Sequence, residues 1–254
     1  MTATSVRSRP FYGIDAPPIP ALLGAAGAAC AVAARRRGNR AGRAALAATS
    51  AVLLSGTGIY LHTTLRGKFR AWDAILDRAT FRGDEQVLDM GCGRGAVLIA
   101  AARRLPRGRA VGVDLWSADQ SGNRPEATLA NAAAADVADR VEVRSGDMTA
   151  LPFPNDSFDV VTSAMAIHNI PSAEGRRRAL EEAIRVLRPG GRLLIADPSP
   201  FVREYAARLG RGTVRGLGPG YWYSGPWVAV SLLDLINPGV ENPGVEPGPP
   251  PTGA

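Results

Sequence analysis

Apolar and polar positions divide most of the chain into short buried stretches and longer helical ones. Five apolar runs of strand length alternate with segments whose apolar residues recur at helical spacing. Strands and helices that alternate in this way predict an α/β fold, in which right-handed crossovers join the strands of a parallel sheet. The predicted strands, together with their exit loops, are 87–90, 109–114, 140–145, 158–170 and 186–197.

Helical segments separate these strands, and turn residues mark where they begin and end. The first is expected from about residue 94 to 105, directly after a glycine-rich turn. The second, 125–139, opens with a proline, which suits the first turn of a helix. Ser172 can cap the third helix, and Pro189 with the glycines after it ends that helix. The last two strands are expected at 213–217 and 227–235.

Two long uncharged stretches precede the alternating region. Residues 16–34 and 44–65 contain no charged side chain. At ~1.5 Å per residue, a helix of either length could cross a bilayer core of ~30 Å. We predict a membrane hairpin of two helices here. The alternatives are a helical hairpin buried in a soluble protein and a signal peptide that is removed. The predicted layout is a loose N-terminus (1–15), the hairpin (16–65), an α/β domain (66–236) and a disordered tail rich in Pro and Gly (237–254).

The charge and the cysteine content exclude several classes of function. The net charge is +7, but the basic residues are almost all arginines, Lys68 being the only lysine, and most are dispersed. No aromatic residues interleave them as stacking platforms would require, so we expect no nucleic-acid partner. Cys30 and Cys92 are the only cysteines, which provides neither a disulfide framework nor a zinc ligand set. We therefore predict no metal site.

The densest chemical signal is the glycine turn after the first predicted strand. Gly91, Gly93 and Gly95 alternate there, and Asp89 stands two residues before the first of them. Glycines let a ligand approach the backbone closely. Dinucleotide-binding proteins use a different spacing, G-x-G-x-x-G, and a carboxylate at position 89 would repel a pyrophosphate. An acid there suits a nucleoside with a cationic amino-acid head, namely S-adenosylmethionine (SAM).

Acids at the ends of the next two strands support the same ligand. Asp114 ends the second strand, where a carboxylate can accept hydrogen bonds from both ribose hydroxyls. Asp147 follows the third strand, where it can accept from the adenine amino group while Met148 packs on the ring.

These segments, in this order, resemble the class I SAM-dependent methyltransferases. Two segments around the fourth strand resemble the small-molecule branch of this family, which includes quinone-ring enzymes. They are His168-Asn169-Ile170 after the strand and Leu151-Pro-Phe-Pro before it. The arsenite enzymes of that branch rely on several cysteines, so their chemistry is not expected here. The resemblance implies a Rossmann-like, mostly parallel seven-stranded sheet. It assigns SAM binding to Asp89, Gly91, Cys92, Gly93, Gly95, Asp114, Leu115, Asp147 and Met148.

His168 is the candidate catalytic residue. Methyl transfer from SAM depends mainly on aligning the nucleophile with the methyl group, and a hydroxyl nucleophile also benefits from a base. His168 lies after the fourth strand, at the edge where open α/β sheets bind ligands. The other interpretation is that His168 only hydrogen-bonds its own loop.

The predicted function is a membrane-anchored SAM-dependent methyltransferase that acts on a small, lipophilic acceptor. The alternatives are a non-catalytic SAM-binding protein at the membrane and an NAD(P)-dependent oxidoreductase, which the spacing of the glycines disfavours. Five basic residues lie on each side of the hairpin, so their distribution does not decide its orientation. Because SAM is cytosolic, we expect the α/β domain to face the cytoplasm from the cell membrane.

Overall fold

The alternating pattern folds into one seven-stranded sheet. The computed structural model describes residues 10–117 and 122–238 of the chain. Its strands are β1 (Gln86–Met90), β2 (Arg109–Asp114), β3 (Val141–Ser145), β4 (Phe158–Ala164), β5 (Leu187–Pro198), β6 (Thr213–Gly216) and β7 (Val230–Ile236). Their order is β3-β2-β1-β4-β5-β7-β6, and β7 runs antiparallel to both of its neighbours. The predicted fold class, a Rossmann-like and mostly parallel sheet, is confirmed.

Helices cover both faces of the sheet because successive strand residues point to opposite sides. Val87 belongs to the core on one face, whereas its neighbour Leu88 belongs to the core on the other. The helices of the described chain after the hairpin are α3 (Lys68–Ala79), α4 (Ala96–Ala102), α5 (Pro125–Ala134), α6 (Ala173–Val186) and α7 (Ser199–Leu209), numbered after the two hairpin helices. Side chains of α3, α4 and α5 pack on the face of Val87, and those of α6 and α7 pack on the face of Leu88.

Two of these helices are shorter than predicted. The α4 helix begins at Ala96 and not at residue 94, because Gly95 adopts a left-handed conformation with φ 83° and so stands outside the helix. The α5 helix ends at Ala134, since Asp136 also has a positive φ, 63°. The sequence pattern continued through both points because small residues fit a helix as well as a turn.

The two uncharged stretches form a hairpin of long helices, α1 (Pro18–Arg36) and α2 (Arg40–His62). Small residues bring them together: the Ser50 hydroxyl donates to the Gly27 carbonyl at 2.8 Å, and a Cβ on Gly27 would lie 2.9 Å from the Leu54 side chain. Their outer faces are apolar and exposed, as at Leu22 (69%) and Val52 (57%). Both helices are long and apolar enough to span a membrane by length and composition.

The helical run that begins with α2 continues past residue 65. It passes through a π-helical turn, Thr63–Gly67, into α3. A Cβ on Gly67 would lie 1.8 Å from the Gly220 carbonyl oxygen, so only a glycine lets the loop before β7 pack against this turn. The hairpin and the α/β domain are therefore joined by helix and by side-on packing.

The chain ends also differ from the expected layout where they are described. Residues 10–15 are packed and not loose: the Phe11 amide donates to the Asn131 side chain at 2.8 Å, and Asp15 forms an ion pair with Lys68. At the other end Asn237 is buried, and its side-chain amide donates to the Leu187 carbonyl at 2.8 Å. The rest of the expected loose terminus (1–9) and of the tail (239–254) lies outside the described residues.

Candidate functional site

A large cavity of about 780 Å³ opens at the carboxyl ends of β1, β2 and β4. In an open α/β sheet this edge is where ligands bind, because the loops that leave the strands diverge there. The cavity brings together all but one of the residues predicted for the site. Those that line it are Asp89, Gly91, Cys92, Gly93, Asp114, Leu115, Asp147, Met148 and His168.

The exception is Gly95, which does not line the cavity. A Cβ at this position would lie 2.9 Å from the Thr128 side chain and 3.1 Å from that of Ile99. With its positive φ, Gly95 turns the chain from the loop into α4 and lets α4 pack against α5. In the structure Gly95 thus serves the packing of the two helices, and its contact with the cofactor stays a prediction.

The turn after β1 is held by backbone hydrogen bonds, and two of its residues have positive φ angles that favour glycine. The amides of Gly91 and Cys92 both donate to the Val113 carbonyl, at 2.8 and 3.2 Å. Gly91 and Gly93 have positive φ values of 72° and 49°. A Cβ on Gly91 would lie 2.3 Å from that of Ala166, so the turn packs against the loop after β4 with no room for a side chain. Bare backbone consequently forms one wall of the cavity.

Asp114 organises this wall from the end of β2. Its Oδ2 accepts the Gly93 amide at 2.8 Å, and its Oδ1 accepts the Trp116 amide at 2.6 Å. The Asn123 side chain also donates to Oδ1, at 3.3 Å. Although only 8% exposed, Asp114 lines the cavity and can accept further bonds at its remaining lone pairs.

Asp89 and Cys92 are buried at the floor of the cavity, and burial raises both of their pKa values. The Thr162 hydroxyl donates to Asp89 Oδ1 at 2.8 Å, yet desolvation raises the pKa of this carboxyl to about 7. Burial also raises the pKa of the Cys92 thiol well above its usual range. Cys92 is therefore a neutral side chain that fills space, whereas Asp89 can gain or lose a proton near neutral pH.

The remaining predicted cofactor residues lie at the rim. Leu115 lines the cavity and is 64% exposed, which is high for an apolar side chain. Met148 is half-buried, and its methyl group lies close to Gly91. Asp147 is exposed and accepts the Thr149 amide at 2.8 Å. The rim thus offers two apolar side chains and a carboxylate.

His168 is held by an acid that sequence reasoning missed. Its ring Nδ1 lies 3.0 Å from Asp197 Oδ1, and its backbone amide donates to Asp197 Oδ2 at 3.1 Å. The Tyr205 hydroxyl donates to the same Oδ2 at 3.1 Å. Asp197 is fully buried at the end of β5. The signal was present, because Asp197 ends an apolar strand as Asp89 and Asp114 do, but nothing in the sequence links it to His168.

A second missed cluster lies where the cavity meets the hairpin. Lys68 is 6% exposed, and its ammonium group donates to both oxygens of Asp15, at 2.7 and 2.9 Å. The Tyr223 hydroxyl donates to Asp15 Oδ2 at 2.7 Å, and the Tyr60 hydroxyl donates to the Asp15 carbonyl at 2.9 Å. All four side chains line the cavity. No local pattern marks them, since they come from three distant segments.

Comparison with known proteins agrees with this geometry. Residues 87–191 match the family model of a methyltransferase domain. The chain is 34% identical over 184 residues to 27-O-demethylrifamycin SV methyltransferase of Amycolatopsis mediterranei, which covers 70% of this chain and 60% of that protein. It is also 34% identical over 140 residues to demethylmenaquinone methyltransferase of Symbiobacterium thermophilum, covering 54% of this chain and 53% of the relative. The chain thus spans about half to three fifths of the length of these relatives.

Solved structures show the same fold. Geranyl diphosphate C-methyltransferase from Streptomyces coelicolor, in complex with S-adenosyl-L-homocysteine, superposes with a TM-score of 0.53 at 19% identity, over 66% of this chain and 77% of that one. A [4+2]-cyclase superposes with a TM-score of 0.54 at 18% identity, over 67% and 80%. One fold therefore accompanies different reactions, and the reaction must be argued from the site. Residues 87–191 are thus similar in sequence to a methyltransferase domain, and the fold of the chain is the one that these solved structures share.

Proposed function

We propose that this protein transfers a methyl group from SAM to a small acceptor and that its hairpin holds it in a membrane. The observation that carries the proposal is the wall formed by the glycine turn and Asp114, where a buried carboxylate and bare backbone line one cavity. Two relatives are named for a demethylated rifamycin and for demethylmenaquinone, which supports a small molecule as the acceptor.

Within this proposal the predicted residues bind different parts of SAM. Asp114 accepts hydrogen bonds from the ribose hydroxyls, and the ionised form of Asp89 faces the cationic amino-acid end. Leu115 and Met148 cover the adenine ring, and this role fits the exposure of the apolar Leu115 side chain at the rim. Asp147 accepts from the adenine amino group.

His168 acts as the base when the acceptor is a hydroxyl. Its Nδ1 lies against Asp197, so the proton on the ring sits at Nδ1 and Nε2 is the nitrogen that can take a proton from the acceptor. The acceptor oxygen then attacks the methyl carbon as the bond from carbon to sulfur breaks, and the electron pair of that bond stays on sulfur. Asp197 stabilises the positive charge that His168 gains.

Replacing Asp114 by alanine is expected to weaken SAM binding by ~1.5–3 kcal/mol, because hydrogen bonds to a charged group are lost. Isothermal titration calorimetry of the full chain with SAM measures this. Asp139→Ala removes an exposed carboxylate outside the cavity and should leave the affinity unchanged. Unchanged affinity in a folded Asp114→Ala variant, or tighter binding of NAD than of SAM to the wild type, would rule out the proposed cofactor site.

The exposed apolar surface of the two hairpin helices supports attachment to a membrane. Only 17% of the spanning window of each helix is buried, whereas the core helix of a soluble protein would be mostly buried. The charged residues of the hairpin lie at its tip, Arg35 to Arg43, and none lies between residues 44 and 62. Since SAM is cytosolic, the α/β domain faces the cytoplasm.

We expect the full chain to stay in the membrane fraction after an alkaline carbonate wash. A double variant, Val32→Arg with Val52→Arg, puts a charge on the exposed face of each helix and should release the protein, because an arginine in the bilayer core costs about 2.5–3.5 kcal/mol or more. Val214→Arg, on the exposed edge strand β6, is the matched control and should remain bound. Recovery of the wild type in the supernatant would contradict membrane insertion.

A further inference from the structure

Partly exposed residues at the base of the hairpin, none of them proposed to bind SAM, also line the cavity. Its lining there comes from the start of the hairpin, at Ala16 just before α1 and Ile19 in its first turn, and from the segment before β7, at Ser224 and Val228. Ile19 is 47% exposed and Val228 is 36% exposed, so both side chains face the cavity and the outside. These four residues are called the lateral opening below.

The two sides of the lateral opening are fastened to each other through Asp15. The Tyr223 hydroxyl donates to Asp15 Oδ2 at 2.7 Å, and the Tyr223 amide donates to the Val228 carbonyl at 3.0 Å. The same segment packs on the π-helical turn after α2, where the Thr63 hydroxyl donates to the Trp222 carbonyl at 2.6 Å. The opening is therefore built jointly by the hairpin and the α/β domain and does not lie on a separate loop.

The lateral opening lies where the uncharged part of the hairpin begins. Ala16 is the first residue after Asp15, and no charged residue follows until Arg35. The same elements carry further exposed apolar side chains: Leu22 on α1 is 69% exposed and Trp227, next to Val228, is 69% exposed, while Leu65 in the π-helical turn is 50% exposed. Tryptophan is enriched at the level of lipid headgroups. Arg66 and Arg70, which follow Leu65 along the chain, are exposed and can complement anionic lipids.

We propose that the methyl acceptor is dissolved in the bilayer and enters the cavity sideways through the lateral opening. This rests on the proposed function. The chemistry of the lining matches an acceptor with a polar head and an apolar tail: Ile19 and Val228 line the mouth, and the hydroxyls of Tyr60 and Tyr223 with the Lys68 ammonium group lie further in. The head reaches these polar groups and SAM while the tail stays in the lipid, so the acceptor need not cross water.

The first test measures which fraction receives the methyl group. The full chain is reconstituted in vesicles made from the total membrane lipids of its own organism and supplied with tritium-labelled SAM. We expect label in the fraction that organic solvent extracts. Val228→Glu, which puts a charge in the mouth, should lower that label by about tenfold or more while the SAM affinity from calorimetry stays unchanged. Val214→Glu, an exposed valine on β6 outside the cavity, is the matched control and should label as the wild type does.

A second measurement tests contact with lipid directly and leaves the four residues of the lateral opening unchanged. In vesicles of phosphatidylcholine and phosphatidylglycerol whose acyl chains carry bromine, the bromine quenches only tryptophans that touch lipid. We expect quenching in the wild type that Trp227→Phe largely removes. Trp116→Phe should not remove it, because Trp116 follows β2 and donates to Ser145 at 2.7 Å.

The outcomes separate this inference from the proposed function. If the wild type binds no SAM, the proposed function fails and the inference fails with it. If SAM binds but the label appears only in water-soluble products, or if Val228→Glu labels lipid as well as Val214→Glu does, the function stands and the lateral opening is refuted. Equal quenching in the wild type and Trp227→Phe also refutes contact between the opening and the bilayer.

Discussion

Replacing His168 by alanine is expected to lower kcat by about a hundred- to ten-thousandfold, the usual contribution of a general base. The affinity for SAM should stay the same, because the cofactor binds through the glycine turn and the acids of β1 and β2. His168 is suited to the task because its Nδ1 lies 3.0 Å from Asp197 Oδ1, which leaves Nε2 as the nitrogen that accepts a proton. Transfer of labelled methyl groups to extracted membrane lipid measures the rate.

Asp197→Asn tests whether this pair works as a unit. The amide nitrogen of asparagine can donate to Nδ1, which would then hold the ring in the other tautomer and leave Nε2 protonated. The loss should therefore approach that of His168→Ala, and the double variant should be no slower than the worse single one. Additive losses would mean that Asp197 acts on something other than His168.

His62→Ala is the matched control, because His62 is the other histidine of the chain and is exposed at the end of α2. Its rate should equal that of the wild type. A His168→Ala variant with full activity would show that no base is needed, as for an amine or a stabilised carbanion, and that alignment alone drives the transfer.

SAM affinity is expected to increase steeply as the pH rises towards neutrality and then to level off at about pH 7. Asp89 is buried, and desolvation raises the pKa of its carboxyl to about 7. A cationic amino-acid head binds the ionised carboxylate better than the neutral acid. Below its pKa the protein must first release a proton, so the association constant should fall by up to about tenfold per pH unit.

The free energy of unfolding without ligand should change with pH in the opposite direction to the SAM affinity. Without ligand, the unfolded chain loses the Asp89 proton at its ordinary pKa, while the folded protein keeps it until about pH 7. The unfolded state therefore binds fewer protons in this window, and Asp89 lowers the free energy of unfolding as the pH rises through it. The folded protein with SAM should not show this loss.

Calorimetry in two buffers of different ionisation enthalpy measures the proton released when SAM binds at about pH 6. Asp89→Asn is the matched variant, because an amide of the same shape can still pair with Thr162. It should bind SAM weakly, with an affinity that no longer depends on pH in this range. A pH dependence that survives in Asp89→Asn would assign the proton to another group.

Much of the candidate site could be predicted because its residues follow a local rule. Asp89, Asp114 and Asp147 each stand at or just after the end of a strand, and parallel strands bring their carboxyl ends to one edge. Their positions relative to the predicted strands were therefore enough to predict that these three acids lie at one edge of the sheet. Gly95 belongs to the same glycine motif but packs against Thr128 and Ile99. The motif alone does not show whether one of its glycines lines the cavity or lets two helices pack.

The sequence by itself determined the α/β fold, the two uncharged helices and the acid-lined glycine turn, since periodicity, charge and backbone freedom are properties of neighbouring residues. Only the tertiary structure decided which distant side chains meet. It paired His168 with Asp197 and gathered Asp15, Lys68 and Tyr223 at the base of the hairpin. These contacts join segments up to 208 residues apart, and their energy depends on distance and burial, which no local pattern encodes.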